Sequence, residues 1–364
     1  MSQTEPSLQR YEAFDLEPRA IETALRELWR ATAEGDASLF QVRALTLVIF
    51  VPAALAAEEL LHTIERVAVR HPGRAIALLA EDHPGIPARA QATILCRRGS
   101  GDQQICGELI AIRGGDGGAA LPNLAAALLV PGVPTFVWWL DDPQPGDPRW
   151  EQCVELADRV LLDSRRWRRP MTGLRQLAAL AQSDRHVIYT DLHWAALTPW
   201  RRQIAQCFDV PAALPRLPHL QSVTVRHGPR AHDRLAALLI TGWLASRLGW
   251  RPVTGQDTHI TLRGTHGNLT ARLEAVATEA ALHSLELTLP DARIELAYEP
   301  TIGCIHTTIA LPGSAPVVRM ARLPARTLAD ELADELGVQE RDTVWEAALA
   351  AAAEIAAISG TTSA

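Results

Sequence analysis

Short apolar segments alternate with amphipathic segments from residue 45 to residue 189, and this alternation constrains the fold of the chain more than any other feature. The apolar segments have the length of strands, and the amphipathic segments repeat at helical spacing. Such repetition requires parallel strands joined by helices that cover the sheet. It predicts strands at residues 45–51, 75–80, 135–140, 160–163 and 187–189, and helices at residues 54–70, 122–129 and 148–157.

Two segments of this half depart from the alternation. Residues 18–33 carry Ile21, Leu25 and Leu28 at helical spacing, which predicts an N-terminal helical arm within residues 1–40. Residues 92–97 and 105–112 are strand-like and closely connected, which predicts a hairpin-like antiparallel addition to the sheet. Residues 41–215 are therefore expected to form one Rossmann-like α/β domain, with a mostly parallel sheet flanked by helices.

The remainder of the chain is richer in strands. Three prolines within residues 211–218 predict a linker or boundary, and a strand at 222–226 precedes a helix at about 231–248. Thr327 and Asp330 form a helix-capping pattern, and Asp342 begins the last helix. Residues 216–364 are thus expected to form an α+β domain with an antiparallel sheet. Its further strands are predicted at 258–263, 269–276, 284–289, 293–298, 304–310 and 316–321.

The chain of 364 residues contains no lysine and has a net charge of -7. The absence of lysine excludes Schiff-base chemistry, lysine-dependent phosphate loops and serine–lysine dyads. The negative charge makes nucleic acid and anionic membrane poor partners. The apolar runs are shorter than the roughly 20 residues that cross a bilayer, and the acidic start lacks the pattern of a secretory leader. We therefore expect a cytoplasmic protein.

The five cysteines are scattered without a C-x-x-C pair, and the histidines lack metal-ligand spacing. This pattern argues against a zinc site and against a secreted disulfide framework. We expect reduced, mostly buried thiols, no metal and no cofactor. Cys96 and Cys106, on neighbouring predicted strands, are the pair that could approach one another.

Residues 115–120, with the sequence GDGGAA, fit a variant of the dinucleotide-binding fingerprint. They follow a predicted strand and precede a predicted helix. However, Pro122 marks the first turn of that helix, so Ala120 falls outside the helix in which the third small residue of the fingerprint should pack. A flexible turn is the favoured interpretation, and nucleotide binding is the alternative.

Residues 191–209 combine aromatic and polar side chains without a local signature of a nucleophilic or metal-dependent enzyme. Thr198 is a suitable N-cap and Pro199 a suitable first helical residue, so a helix is predicted to start there, with Trp200 on its apolar face. Asp191 and His193 lie two residues apart and could form an acid–base pair. The favoured interpretation is that Asp191 accepts hydrogen bonds from backbone N–H groups in the turn toward Thr198.

Further candidates lie at the ends of predicted parallel strands, where α/β proteins usually meet ligands and partners. Trp138 and Trp139 are adjacent in a strand and must point to opposite faces. Either both are buried, or one remains exposed as an interface anchor. Arginines 165, 166, 168 and 169 surround Trp167 after Asp163. This loop is expected to be solvated, or to contact an anionic patch or an internal carboxylate.

Three of these segments, in this order, resemble the signature of the OpcA family, the glucose-6-phosphate dehydrogenase assembly proteins. They are residues 130–140 (VPGVPTFVWWL), residues 156–167 (LADRVLLDSRRW) and residues 191–209, in which Asp-Leu-x-Trp leads into Thr-Pro-Trp-Arg. The resemblance implies a non-catalytic accessory protein that binds glucose-6-phosphate dehydrogenase and promotes its assembly or allosteric activation in the oxidative pentose phosphate pathway. The candidate partner-interface or motif residues are Trp138, Trp139, Asp163, Ser164, Arg165, Arg166, Asp191, Trp194, Thr198, Pro199, Trp200 and Arg201.

Two alternatives remain open at this point. One is an enzyme that binds a nucleotide or a sugar phosphate, which rests on the parallel sheet and residues 115–120. The other is a regulator that senses a metabolite and passes the signal to a partner.

Overall fold

The chain divides into two compact units, each built around its own sheet. The computed structural model describes residues 9–35, 39–55, 57–98, 104–183, 186–323, 325–338 and 340–360. Residues 1–8, which carry the expectation about a leader, lie outside the described residues. Unit 1 comprises residues 1–162, 185–190 and 327–339, and unit 2 comprises residues 163–184, 191–326 and 340–364.

The sheet of unit 1 is mostly parallel, as the alternating pattern predicts. Its strand order is β1-β5-β6-β4-β3-β7-β8-β9, and β2 pairs with β6. Neighbours run parallel from β6 through β4, β3 and β7 to β8, whereas β5 is antiparallel to both β1 and β6. The strands are β1 (Gln9–Leu16), β2 (Leu39–Gln41), β3 (Thr46–Val51), β4 (Arg74–Ala80), β5 (Arg89–Arg98), β6 (Gln104–Gly114), β7 (Thr135–Trp139), β8 (Arg159–Leu162) and β9 (Ile188–Asp191).

The described helices of unit 1 include one from the far end of the chain. They are α1 (Ile21–Gly35), α2 (Ala57–Arg70), α3 (Leu121–Ala126), α4 (Pro148–Glu155) and α9 (Leu328–Leu336). Helix α9 begins at the predicted capping pair, because the Thr327 and Asp330 side chains each accept the other residue's backbone N–H. Arg70 of α2 holds α9 through ion pairs to Asp330 at 3.0 Å and Asp334 at 3.2 Å.

The β5–β6 hairpin confirms the predicted antiparallel addition and corrects the expectation for two thiols. Antiparallel pairing places Cys96 opposite Cys106 with their Cα atoms 4.1 Å apart, and a disulfide joins them. The expectation of reduced cysteines is therefore wrong for this pair. The sequence pattern predicted that the two strands are neighbours. It did not give the register, which is what aligns the two sulfurs. Cys153 and Cys207 are free and buried, and Cys304 is free and half-buried.

The second sheet has the strand order β11-β12-β13-β10-β14-β15-β16-β17. All its neighbouring strands are antiparallel except β10 and β13, which run parallel. The predicted antiparallel sheet is thus confirmed apart from one pair. The strands are β10 (Ser222–His227), β11 (Arg251–Gln256), β12 (His259–Gly264), β13 (Gly267–Ala275), β14 (Leu282–Thr288), β15 (Arg293–Glu299), β16 (Cys304–Ala310) and β17 (Val317–Arg322).

Two helices of unit 2, Pro170–Ser183 and Leu192–Ala196, were not predicted from the sequence pattern. Helix α5 (Pro170–Ser183) follows the arginine-rich loop, and a short 3-10 helix (Leu214–His219) occupies the proline-rich segment expected to be a linker. The remaining described helices are α6 (Leu192–Ala196), α7 (Thr198–Cys207), α8 (Ala231–Leu248) and α10 (Thr343–Ile358). Among the residues that the structure describes, no helix combines the length and apolar character needed to cross a membrane.

Candidate functional site

Two candidate segments meet through the carboxylate of Asp191. Asp191 Oδ1 accepts hydrogen bonds from the backbone N–H groups of Ser164 and His193, each at 3.0 Å. The second of these bonds caps α6. The interpretation that Asp191 accepts backbone N–H groups is therefore confirmed, and Asp191 fixes the start of the arginine-rich loop against the start of α6.

The Ser164 hydroxyl lies between a carboxylate and an imidazole. It donates to Asp191 Oδ2 at 2.7 Å, and its oxygen lies 3.0 Å from His193 Nδ1. All three residues are buried, with exposed fractions of 0% for Ser164 and 2% for both Asp191 and His193. Burial lowers the pKa of His193 to about 3 and raises the pKa of Asp191 to about 6. At neutral pH the imidazole is thus neutral and the carboxylate is charged.

These residue types occur in acyl-transfer triads, but the arrangement differs from one in two respects. A nucleophilic serine must give its proton to the imidazole, whereas the Ser164 proton is directed to Asp191. Ser164 also has no exposed surface from which a substrate could be attacked. His193 Nε2 is buried, and no described residue provides it with a hydrogen-bond partner. The cluster joins two chain segments and presents no accessible nucleophile.

The arginine-rich loop contains one arginine that pairs with an internal carboxylate and three that are exposed. Asp163 accepts two hydrogen bonds from the Arg165 guanidinium, at 2.7 Å from Nε and 3.0 Å from Nη2. Of the alternatives for this loop, contact with an internal carboxylate is therefore the one that Arg165 makes. Arg166 is exposed, and so are Arg168 and Arg169. Asp163 and Ser164, at the start of the loop, are buried. The exposed guanidinium groups are therefore attached to a chain segment that is held in place.

Helices α6 and α7 are joined by Trp194 and Arg201. The Arg201 guanidinium lies over the Trp194 indole and also donates to Thr198 Oγ1 at 2.9 Å. Trp194 Nε1 donates to Asp342 Oδ2 at 3.0 Å, which ties α6 to the cap of α10. Leu197, and not Thr198, is the N-cap of α7, so the predicted cap is wrong by one residue. The predicted cap is displaced because α6 directly precedes α7, and the last turn of α6 provides the backbone that leads into α7.

The four candidate tryptophans are buried in the structure. The exposed fractions are 0% for Trp138, 1% for Trp139, 4% for Trp194 and 6% for Trp200. Trp139 stacks on Phe50 with ring centroids 4.4 Å apart, and its Nε1 donates to Asp142 O at 3.0 Å. Of the two alternatives for the adjacent pair, both indoles are therefore buried. Pro199 is half-buried and is the second residue of α7, one position later in the helix than predicted.

The glycine-rich turn at residues 115–120 is filled by the protein itself. A Cβ on Gly115 would lie 2.3 Å from His83 O, and one on Gly118 would lie 2.9 Å from Ala80 Cβ. Arg149 Nη1 donates to Gly117 O at 2.8 Å. Ala120 precedes α3 as its N-cap, outside the helix as the position of Pro122 predicts. The glycines therefore permit close approach of chain segments within unit 1.

Two features of the site were missed by the sequence analysis. Arg202 is exposed on α7, beside the predicted Arg201. It could have been found in the sequence as the second arginine of the adjacent pair at 201 and 202. Asp342 was recognised as a helix start, but its contact with Trp194 spans 148 residues of sequence, and no local pattern encodes it. In the part of the chain that the structure describes, no three His, Cys, Asp or Glu side chains are grouped to hold a metal ion.

Two family profiles match consecutive parts of this chain. The first is described as the glucose-6-phosphate dehydrogenase subunit N-terminal domain of OpcA and matches residues 64–179. The second is the corresponding C-terminal domain and matches residues 188–349. The chain belongs to the OpcA family. The matched regions of this OpcA-family chain contain all twelve candidate residues.

Curated relatives agree with this assignment. A candidate OxPP cycle protein OpcA from Nostoc punctiforme is 32% identical over 197 residues, which is 53% of this chain and 41% of the relative. One from Synechocystis is 30% identical over 193 residues, covering 52% and 40%. The match spans about two-fifths of the length of each relative.

A solved structure shares the fold of this OpcA-family chain. It is a 3-ketoreductase from Actinomadura kijaniata bound to TDP-benzene and NADP, with a TM-score of 0.50 and 13% sequence identity. The match covers 88% of this chain and 98% of the reductase. At this identity the similarity shows the Rossmann-like fold and carries no information about activity.

Proposed function

We propose that this OpcA-family protein binds glucose-6-phosphate dehydrogenase and shifts it toward its active assembly without catalysing a reaction itself. The observation that carries the proposal is the pair of consecutive matches to the two domains described as a subunit of that dehydrogenase. Activation requires tighter binding to the active form of the dehydrogenase than to its inactive form. We place this interaction in the cytoplasm.

We assign the direct contact to the exposed arginines of the loop that follows β8. Arg166 is exposed next to a base fixed by Asp163 and Asp191, so its guanidinium can meet a carboxylate without ordering the loop first. Arginine presents a planar set of donors that suits a carboxylate, and it is enriched at binding hot spots. Arg168, Arg169 and Arg202 extend the proposed contact. The expected partner surface is acidic.

The buried candidates have a supporting role in this proposal. Trp194 and Arg201 join α6 to α7, and Ser164 and Asp191 join α6 to the loop. Trp138, Trp139 and Trp200 fill the cores of their units. The buried side chains of unit 2 would hold the proposed contact surface in shape without touching the partner.

A non-catalytic role is supported by the state of the two enzyme-like features. The Ser164 hydroxyl is fully buried and donates to Asp191. The glycine-rich turn is packed against residues 80–86 and Arg149. Turnover of a nicotinamide cofactor with a sugar substrate by the isolated chain would contradict this part of the proposal.

The test combines the purified dehydrogenase with this chain and measures activity, substrate affinity and the size of the complex. We expect co-elution on size exclusion, together with a higher kcat or a lower KM of the dehydrogenase. A protein with Arg166→Glu should lose co-elution, whereas the exposed Arg251→Glu, at the start of β11, should not. No co-elution and unchanged kinetics with the unsubstituted chain would overturn the proposal.

A further inference from the structure

A cleft of about 280 Å³ lies within unit 2, beside the end of the 3-10 helix. Its lining includes His219 at the end of that helix, Gln221 just before β10, and the turn between β12 and β13. Trp250, immediately after α8, also lines it. This volume is near the lower end of the range for small-molecule sites, about 300–1,000 Å³. The cleft is therefore large enough for a ligand of about the size of one sugar.

Four polar side chains converge on this cleft without using their hydrogen-bonding capacity inside the protein. They belong to His219, Gln221, His266 and Asn268. All four residues are exposed, and within the described part of the chain their side chains make no hydrogen bond or ion pair. Imidazole and amide groups can both donate and accept hydrogen bonds. The cleft thus presents a set of unused donors and acceptors to one small volume.

The two imidazoles lie together, with ring centroids 4.5 Å apart and planes tilted by 43°. They come from separate segments, because His219 ends the 3-10 helix and His266 lies in the β12–β13 turn. An imidazole N–H group is a hydrogen-bond donor that a phosphate oxygen can accept from. Among the described residues that line the cleft there is no Asp, Glu or Arg, so no carboxylate of this lining repels an anion. This end of the cleft is suited to a phosphate group.

The floor of the cleft is apolar. Trp250, Leu220 and Leu269 line it and are 8%, 7% and 3% exposed. Gly264 keeps the turn close to the indole, because a Cβ there would lie 3.1 Å from Trp250 Cδ1. An indole beside amide side chains suits the carbon face and hydroxyl groups of a sugar ring.

We propose that this cleft binds a phosphorylated monosaccharide. The imidazoles of His219 and His266 hold the phosphate, and the amides of Gln221 and Asn268 hold sugar hydroxyl groups above the apolar floor. The site is separate from the arginine-rich loop and does not rest on the proposed function. Either proposal can fail while the other stands.

Isothermal titration calorimetry of the full chain tests the site with three probes: glucose 6-phosphate, glucose and inorganic phosphate. We expect glucose 6-phosphate to bind at least about tenfold more tightly than either fragment, because both ends of the cleft then contribute. The double substitution His219→Gln and His266→Gln should weaken its binding by about tenfold or more, since the phosphate loses both imidazole N–H donors. His259→Gln, at an exposed histidine of β12 outside the cleft, is the matched control and should bind as the unsubstituted chain does.

Chemical-shift changes provide a second readout that does not depend on folding stability. In imidazole-detected NMR, glucose 6-phosphate should shift the signals of His219 and His266 and leave that of His259 in place. The site is overturned if none of the three probes binds. It is also overturned if inorganic phosphate binds as tightly as glucose 6-phosphate, or if the double substitution leaves the affinity unchanged.

Discussion

The guanidinium carbon of Arg201 lies 3.4 Å from the ring centroid of Trp194, and Arg201 Nη1 donates to Trp194 O at 2.6 Å. One planar group therefore covers the indole and closes the junction between α6 and α7. The same indole donates to Asp342 at the start of α10. The tryptophan and arginine of the family signature are thus partners of each other.

We predict that Arg201→Lys destabilises the protein by about 1–2 kcal/mol, because lysine cannot cover the indole and donate in two directions at once. Urea unfolding measures this free energy. Arg202→Lys is the control, since Arg202 is the exposed neighbour on the same helix, and its cost should be within about 0.5 kcal/mol of zero. Equal costs for the two substitutions would refute the role assigned to Arg201.

The buried imidazole of His193 makes stability depend on pH. Burial lowers its pKa to about 3, while an unfolded histidine titrates near 6.5. Below about pH 6.5 the unfolded chain binds a proton that the folded chain does not, so this residue reduces stability progressively as the pH falls toward 3. The charged and titratable groups that act on it belong to Asp163, Arg165, Asp191, His232 and Asp233.

His193→Gln should remove this dependence. Between about pH 6 and pH 4, the free energy of unfolding of the unsubstituted protein should fall relative to the variant by roughly 1 kcal/mol per pH unit. Denaturant unfolding across that interval measures the difference. Asp191 is present in both proteins, so its own titration largely cancels from the comparison. Parallel pH profiles would show that folding does not lower the pKa of His193 and would contradict this prediction.

Gly242 permits the close packing of α8 against α10. A Cβ at this position would lie 2.5 Å from Ala348 O and 2.6 Å from Ala352 N, both backbone atoms. Glycine to alanine in a helix interior usually stabilises by roughly 0.5–1 kcal/mol, but here the added methyl group must push two helices apart. Gly242→Ala should therefore lower stability by about 2 kcal/mol or more. Arg247→Ala, at an exposed position of α8, is the control, and a stabilising Gly242→Ala would contradict the packing.

Glu108 is the centre of a buried ionic cluster in unit 1. Its Oε2 accepts from Arg74 Nε at 2.6 Å, and its Oε1 accepts from Trp29 Nε1 at 2.7 Å. The Glu108 and Arg74 side chains are only 1% and 3% exposed. Glu108→Gln should cost about 3–5 kcal/mol in thermal or urea unfolding, because it removes the buried counter-charge of Arg74, whose other ion-pair partner, Glu22, is half exposed. Glu65→Gln, which breaks the partly exposed pair with Arg10, should cost below about 1 kcal/mol.

Local patterns were sufficient for much of the fold. Strands β3 and β4 were predicted because apolar runs of that length are typical of parallel strands. Such runs occur there because every side chain of the two strands is buried. The cap of α9 was predicted because Thr327 and Asp330 interact within one turn. Strand β1 was missed because it is an edge strand with mostly exposed side chains, so its position depends on pairing with β5 and not on its own composition.

The candidate site was predicted less completely, because its geometry depends on contacts between distant segments. The aspartate at 191 could be assigned a backbone-binding role from its position before a turn. Its second partner, Ser164, lies 27 residues away, and no periodicity relates the two. Trp194 and Trp200 were candidate partner-interface residues, but both are buried. The exposed guanidinium groups of the loop therefore became the proposed contact.

The most direct measurement is the affinity of this protein for purified glucose-6-phosphate dehydrogenase, determined by biolayer interferometry with Arg166→Glu and Arg251→Glu in parallel. We predict measurable binding by the unsubstituted chain, a loss of affinity of about tenfold or more for Arg166→Glu, and an unchanged affinity for Arg251→Glu. Thermal unfolding of both variants checks that each remains folded. An absence of binding, or equal affinities for the two variants, would contradict the account.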